Sequence, residues 1–162
     1  MKKNKKKTII QIIDIVLILI WMATVFWFSN QNGAKSSGTS RTVTEVIVQP
    51  ILGEDEKKNA TIIRDTEKVI RKIAHYTIYT IGGMLILNFA YTTEKARKEQ
   101  ILYSIMFGLT YAITDEIHQH FISNRSARVF DVCIDTLGII TGILIYSAIR
   151  KYIRNIKGKA QE

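Results

Sequence analysis

The sequence predicts an all-α membrane protein, a bundle of four transmembrane helices with an amphipathic extracytoplasmic helix between spans one and two. Three observations carry that expectation. Four apolar stretches, at about residues 9–28, 73–91, 101–122 and 129–149, each have the length a helix needs to cross a hydrocarbon core of about 30 Å. Together they take about half of the 162 residues, which excludes a soluble globular chain. The basic excess lies on one side of this even number of spans, and ionisable residues on three of the spans fall at one depth. Residues 1–162 read as a single membrane domain.

The first stretch, IIQIIDIVLILIWMATVFWF from Ile9 to Phe28, carries one charge, Asp14. It follows a lysine-rich start, MKKNKKK, that would suit a cleaved leader. Its apolar core is longer than the roughly 7–15 residues of such leaders, and no small-x-small site follows Phe26-Trp27-Phe28. The expectation is an uncleaved anchor. Trp21 and Trp27 then read as ordinary span and interface aromatics.

Between spans one and two, residues 29–44 (SNQNGAKSSGTSRTVT) are polar and rich in turn formers, so they read as a loop. The short apolar run Val46–Leu52, broken by Pro50 and Gly53, is expected on the membrane surface. From Glu54 the pattern becomes helical. Ile62, Ile63, Thr66, Val69, Ile70 and Ile73 fall on one side, with Lys58, Arg64, Asp65 and Lys68 elsewhere. That is an amphipathic helix, lying in the outer interface or packed on the outer ends of the bundle, and leading into span two.

The net charge of +9 is unevenly divided. The two ends of the chain and the 92–100 loop hold 13 lysines and arginines against Glu94, Glu99 and Glu162, whereas the segments on the other side are balanced. By the positive-inside pattern both termini are cytoplasmic, and the 29–72 segment and 123–128 loop lie outside a bacterial cell membrane. Nucleic acid is excluded as a partner, because the positives flank apolar spans and form no stripe with interleaved aromatics.

Depth then locates a candidate site. Span two runs inward, and its polar residues come early: Lys72, His75 and Tyr79, at i, i+3 and i+7 on one face. Span three runs outward, and Asp115, Glu116, His118 and Gln119 come late. Span four runs inward, with Arg128, Asp131 and Asp135 early and on one face. Three helices therefore place ionisable groups in the outer third of the bilayer. A charge in hydrocarbon costs several kcal/mol, so such groups turn toward partners or water. Two readings stay open: a polar cavity facing outward, and a salt-bridge network that fixes helix register, with Lys72 a candidate partner of Asp115. Gly82, Gly83, Gly108, Gly138 and Gly142 read as close-packing positions behind the cluster.

Other motifs are weaker. Glu116 with His120, and Asp115 with His118, have spacings that allow a metal pair, but no His-Glu-x-x-His arrangement accompanies them and no metal or cofactor is expected. The loop serines Ser36, Ser37, Ser40, Ser123 and Ser126 lack a nucleophile elbow. Cys133, the one cysteine, excludes an internal disulfide and reads as a small packing residue.

A set of short motifs runs through nearly the whole chain in a fixed order. It comprises Phe28-Ser29-Asn30-Gln31 after the first span, Arg71-Lys72-Ile73-Ala74-His75-Tyr76 with Tyr79, and Asp115-Glu116-Ile117-His118-Gln119 with Phe121. Asn124-Arg125-Ser126 follows, and then Asp131-Val132-Cys133-Ile134-Asp135 with Gly138 and Gly142. Over about residues 9–149 this set resembles the VanZ-like family of small bacterial membrane proteins. The chain departs from the family in having Ser123-Asn124 where a Pro-Gly usually precedes the arginine of the third loop. The resemblance implies a multi-pass bacterial membrane protein, in a family whose founding member is linked to low-level resistance to the glycopeptide teicoplanin. It carries no catalytic assignments.

The functional expectation is a polar site at the outer leaflet that binds or acts on a cell-envelope ligand, lipid-linked or a lipoglycopeptide, with membrane lipids as the surrounding partners. Any acid/base work falls to Asp115, Glu116 and His75. Lys72, Tyr79, Gln119, Arg125, Arg128, Asp131 and Asp135 are the candidate binding residues, Lys72 and Arg125 suiting anionic groups such as phosphate. The competing expectation is a non-enzymatic structural or partner-binding protein whose polar cluster fixes helix packing. A proton-coupled transporter fits least, because charge lies only in the outer third and no broken-helix repeat is evident.

Overall fold

The computed structural model describes residues 2–30, 44, 46–48, 50, 56–122 and 128–159. Its helices are α1 (Lys2–Ser29), α2 (Glu56–Ala90), α3 (Arg97–His120) and α4 (Val129–Lys159), and the described residues contain no strand. The amphipathic segment expected before span two is not a separate element. It is the first part of α2, one unbroken helix of 35 residues and therefore about 52 Å long. Of the run expected on the membrane surface, Val46 and Ile47 are exposed and Val48 is buried.

The helices alternate in direction. Lys7 on α1 meets Glu94 in the turn after α2, with Nζ 3.0 Å from Oε1. Residues 91–96 form a tight connection to α3, and the Ala96 N–H donates to Glu99 Oε2 at 3.0 Å to cap that helix. Asp131 lies in the first turn of α4, and Lys157 and Lys159 in its last, each sign matching the helix dipole.

Helices α2 and α4 form the closest seam. A side chain at Gly138 would strike the Tyr76 carbonyl oxygen at 2.6 Å, and one at Gly142 would strike that of Thr80. The small-residue spacing read in the sequence thus lets two backbones touch. Helix α3 packs on both, with Ile139 of α4 seated against Gly108. Helix α1 joins through one stripe, Asp14, Trp21, Val25 and Ser29. Trp21 is a core residue and not an ordinary span aromatic: 4% exposed, its Nε1–H donates to the Ile78 carbonyl at 2.8 Å. Trp27, at 62%, faces outward.

Burial is inverted relative to a soluble protein. The buried residues of α3 are Gln100, Ser104, Gly108, Ala112, Asp115 and Glu116, while Leu102, Tyr103, Met106, Phe107 and Ile117 are exposed. Polar groups turn inward and apolar ones outward, as a bilayer demands. By length and composition three helical stretches can cross a membrane: Lys5–Ser29, Lys58–Ala90 and Val129–Lys159. α3 is not among them.

Candidate functional site

The candidate residues on α2, α3 and α4 converge at one end of the bundle, the acidic end, because each helix contributes them at the matching height. A cavity of about 270 Å³ opens there. Lys72 and His75 of α2, Glu116 and Gln119 of α3, and Arg128, Asp131 and Asp135 at the start of α4 line it, joined by Lys68 and Arg71, which were not among the sequence candidates. Arg125 lies outside the described residues, as do Ser36, Ser37, Ser40, Ser123 and Ser126.

The pairing inside the cluster differs from the sequence expectation. Lys72 Nζ donates to Asp131, across the α2–α4 seam, and also sits 4.5 Å from the centre of the Phe130 ring. Asp115 instead accepts from Gln119 Nε2 at 2.9 Å, one turn along its own helix, where Lys72 cannot compete once Asp131 holds it. The same Gln119 amide lies 3.3 Å from Ser29 Oγ, tying the end of α1 to the site. Glu116 Oε1 accepts the Arg128 backbone N–H, so this carboxylate anchors the start of α4 while its side chain also faces the cavity.

At the floor, His75 Nδ1 is 3.6 Å from Asp135 Oδ1. Asp115 and Asp135 are 4% and 1% exposed, and Tyr79 beneath them is wholly buried. The Tyr79 ring stacks near His75, at 6.4 Å between centroids, and meets Trp21 edge-on at 5.7 Å. Single ligand atoms of His75, Asp115 and Asp135 all lie within 4.8 Å of one another. Neither metal pair suggested by spacing forms. His118 turns away to stack on Phe26 at 4.6 Å, and His120 is exposed against Phe121. Cys133 is exposed rather than packed, because its position between Asp131 and Asp135 points it to the opposite side of α4.

A second polar cluster, missed by the sequence reading, sits at the other, basic end. Asn88 Nδ2 of α2 donates to Asp14 Oδ1 of α1 at 2.8 Å, and Tyr146 of α4 donates to Asn88 Oδ1. The Arg150 guanidinium lies 4.3 Å from the Tyr91 ring centre beside them. The signal was available: Asp14 comes early in span one, and Asn88 and Tyr146 late in spans two and four, so the same depth arithmetic places them together.

Chemically, the acidic end offers a cavity with cationic side chains on its wall and an imidazole between two carboxylates at its floor. It can receive an anionic group above and hold a proton or a cation below. A family model described as VanZ/LLP1 matches residues 14–150 of the chain. No curated protein and no solved structure matches.

Proposed function

The chain belongs to the VanZ/LLP1 family, and on that premise we propose that it is a four-span protein of the bacterial cell membrane whose acidic end opens to the outer leaflet and binds an anionic, lipid-linked cell-envelope ligand. The single observation that carries the reading is the cavity itself. It joins Lys68, Arg71, Lys72 and Arg128 to Asp135 and His75, within a bundle that exposes many large apolar side chains. Cationic groups on the wall suit phosphate or carboxylate, and an opening between helices lets a lipid tail stay in the bilayer.

The inward polar stripe of α3 supports counting it as the fourth span. Its 24 residues reach about 36 Å, and its mean hydropathy is lowered by residues that never meet lipid. The one-sided basic excess supports cytoplasmic termini. Reporter fusions after Lys7, Asn59, Lys95 and Lys157 should read inside, outside, inside and inside. A cytoplasmic reading at Asn59 would turn the cavity toward the cytosol and end the envelope reading.

The decisive functional test is expression in a susceptible bacterium against a panel of envelope-directed agents, teicoplanin included, beside Asp135→Asn at matched abundance. The expected outcome is reduced susceptibility to lipid-bearing or lipid-targeting agents, lost in the variant. No change for any agent, or a change that Asp135→Asn retains, defeats the reading. The second reading, a packing network without ligand, draws on the Lys72–Asp131 pair and the Glu116–Arg128 bond, both of which tie one helix to the next. It expects loss of protein rather than loss of phenotype when these pairs are cut.

A further inference from the structure

We infer that His75, Asp115 and Asp135 form a binding site for one first-row divalent metal ion at the floor of the cavity. The three side chains come from three different helices, α2, α3 and α4, and their ligand atoms fall within 4.8 Å of one another. A tetrahedral ion with bonds of about 2.0–2.2 Å holds its ligand atoms roughly 3.3 Å apart, so side-chain rotations that draw these atoms together by at most about 1.5 Å complete the set.

Charge makes the same demand. Asp115 and Asp135 are both almost fully buried, and the imidazole between them supplies at most one positive charge. Of the cations lining the cavity, Lys72 pairs with Asp131 and Lys68 with Asp65, while Arg71 and Arg128 stand on the wall. A divalent ion balances two carboxylates where an imidazolium balances one.

Hydrogen bonding is the independent observation. Among the described residues neither oxygen of Asp135 accepts a hydrogen bond, although its side chain is 2% exposed. The Tyr79 hydroxyl, in a wholly buried residue, is turned to the Asp115 carboxylate. Buried carboxylate oxygens left this way are costly, and a bound cation is a partner that removes the cost. Asp115 is steadied by Gln119, the kind of supporting bond that orients metal ligands.

One nitrogen and two oxygens suit zinc, manganese or iron, and three protein ligands leave positions open toward the cavity. An ion there faces the space lined by Arg71, Lys72 and Arg128, where a phosphate-bearing headgroup can complete its coordination. That last step rests on the envelope-ligand reading. The ion site itself does not.

The test uses the full chain in lipid nanodiscs of zwitterionic lipid, stripped with chelator and with no envelope ligand present. Titration with Zn²⁺ should show one ion per chain above empty discs and a rise in melting temperature. Asp135→Asn should weaken binding by about 100-fold or more. Co²⁺ added to His75→Cys should give a thiolate-to-cobalt charge-transfer band that the parent chain lacks, which reports the site directly even where Asp135→Asn fails to accumulate. No ion bound by the parent chain overturns the proposal. So does binding that a folded Asp135→Asn keeps, or a folded His75→Cys without the band. A protein that binds the ion yet alters no drug susceptibility defeats the envelope reading alone.

Discussion

The two ends of the bundle bury ionisable groups of the same kind and handle them in opposite ways. At the basic end one carboxylate, Asp14, receives the Asn88 amide on one oxygen, and Asn88 in turn accepts from Tyr146, while the second Asp14 oxygen has no hydrogen-bond partner among the described residues. At the acidic end Glu116, Asp131 and Asp135 line a cavity with Asp115 buried next to them, and the Asp135 oxygens accept no hydrogen bond among the described residues. One carboxylate tied by an amide to two other helices holds those helices in register. Several carboxylates gathered in one place, kept at the cost of burying like charges, point to something they hold or move.

The most severe way to break the comparison is to separate the seam that both ends share. Gly142 lies between them, where any Cβ meets the Thr80 carbonyl oxygen of α2. Gly142→Leu should destabilise the bundle by about 3 kcal/mol or more, since neither backbone can yield without moving a helix. Melting temperature in detergent and membrane abundance should fall together, and both clusters should be lost. Retention of stability would mean that α2 and α4 do not approach closely.

Next comes a matched pair of carboxylates. Asp135→Asn gives up the 3.6 Å contact of the carboxylate with His75 but also removes a buried charge, and a neutral imidazole can still face the amide, so stability should stay within about 1 kcal/mol of the parent while the drug phenotype disappears. Asp14→Ala should do the reverse. It leaves the Asn88 amide without its acceptor and should cost about 1–3 kcal/mol with the phenotype intact at matched abundance. If Asp135→Asn loses protein and phenotype together, the acidic end is a register device like the other.

How far the sequence reached follows the same division. Periodicity and span length place α1, α2, α3 and α4, because apolar residues crowd into bilayer-length runs, and the order of polar residues along alternating spans brings His75, Asp115 and Asp135 to one height. Pairing was not legible. Whether Lys72 meets Asp115 or Asp131 depends on how α2 and α4 rotate about the Gly138 and Gly142 contacts, and spacing along one helix carries no information about rotation against another. Apolar length alone gives α3 no distinction, since its inward stripe, from Gln100 and Ser104 to Asp115 and Glu116, lowers its hydropathy. Asn88 and Tyr146 escaped notice because neither is charged, although their depth matched that of Asp14.

A smaller effect sharpens the basic end. Tyr146→Phe removes the hydroxyl that Asn88 accepts, keeps the ring beside Tyr91, and should lower stability by about 1 kcal/mol. Combined with Asp14→Ala, its further cost should be less than that, because Asn88 has already lost its anchor. A double-mutant cycle measures the coupling, and strict additivity would mean that the three residues do not form one network.

The smallest effect lies at the surface of the same end, where Lys7 Nζ holds Glu94 Oε1 at 3.0 Å. The hydrogen bond from Lys7, and then its charge, lower the Glu94 carboxyl below its ordinary value. A carboxyl whose pKa is lower folded than unfolded adds stability above the unfolded value and loses it as the pH falls through the folded one. The parent chain should therefore lose slightly more stability than Lys7→Ala on acidification from neutral pH through about 4. Both side chains are substantially exposed, so the difference should be at the limit of a melting measurement and should vanish in about 1 M salt. The direction is the informative part. A larger acid sensitivity that survives salt would mean that Glu94 is buried by a neighbour at this end, and a second carboxylate would then join Asp14 and Arg150 there.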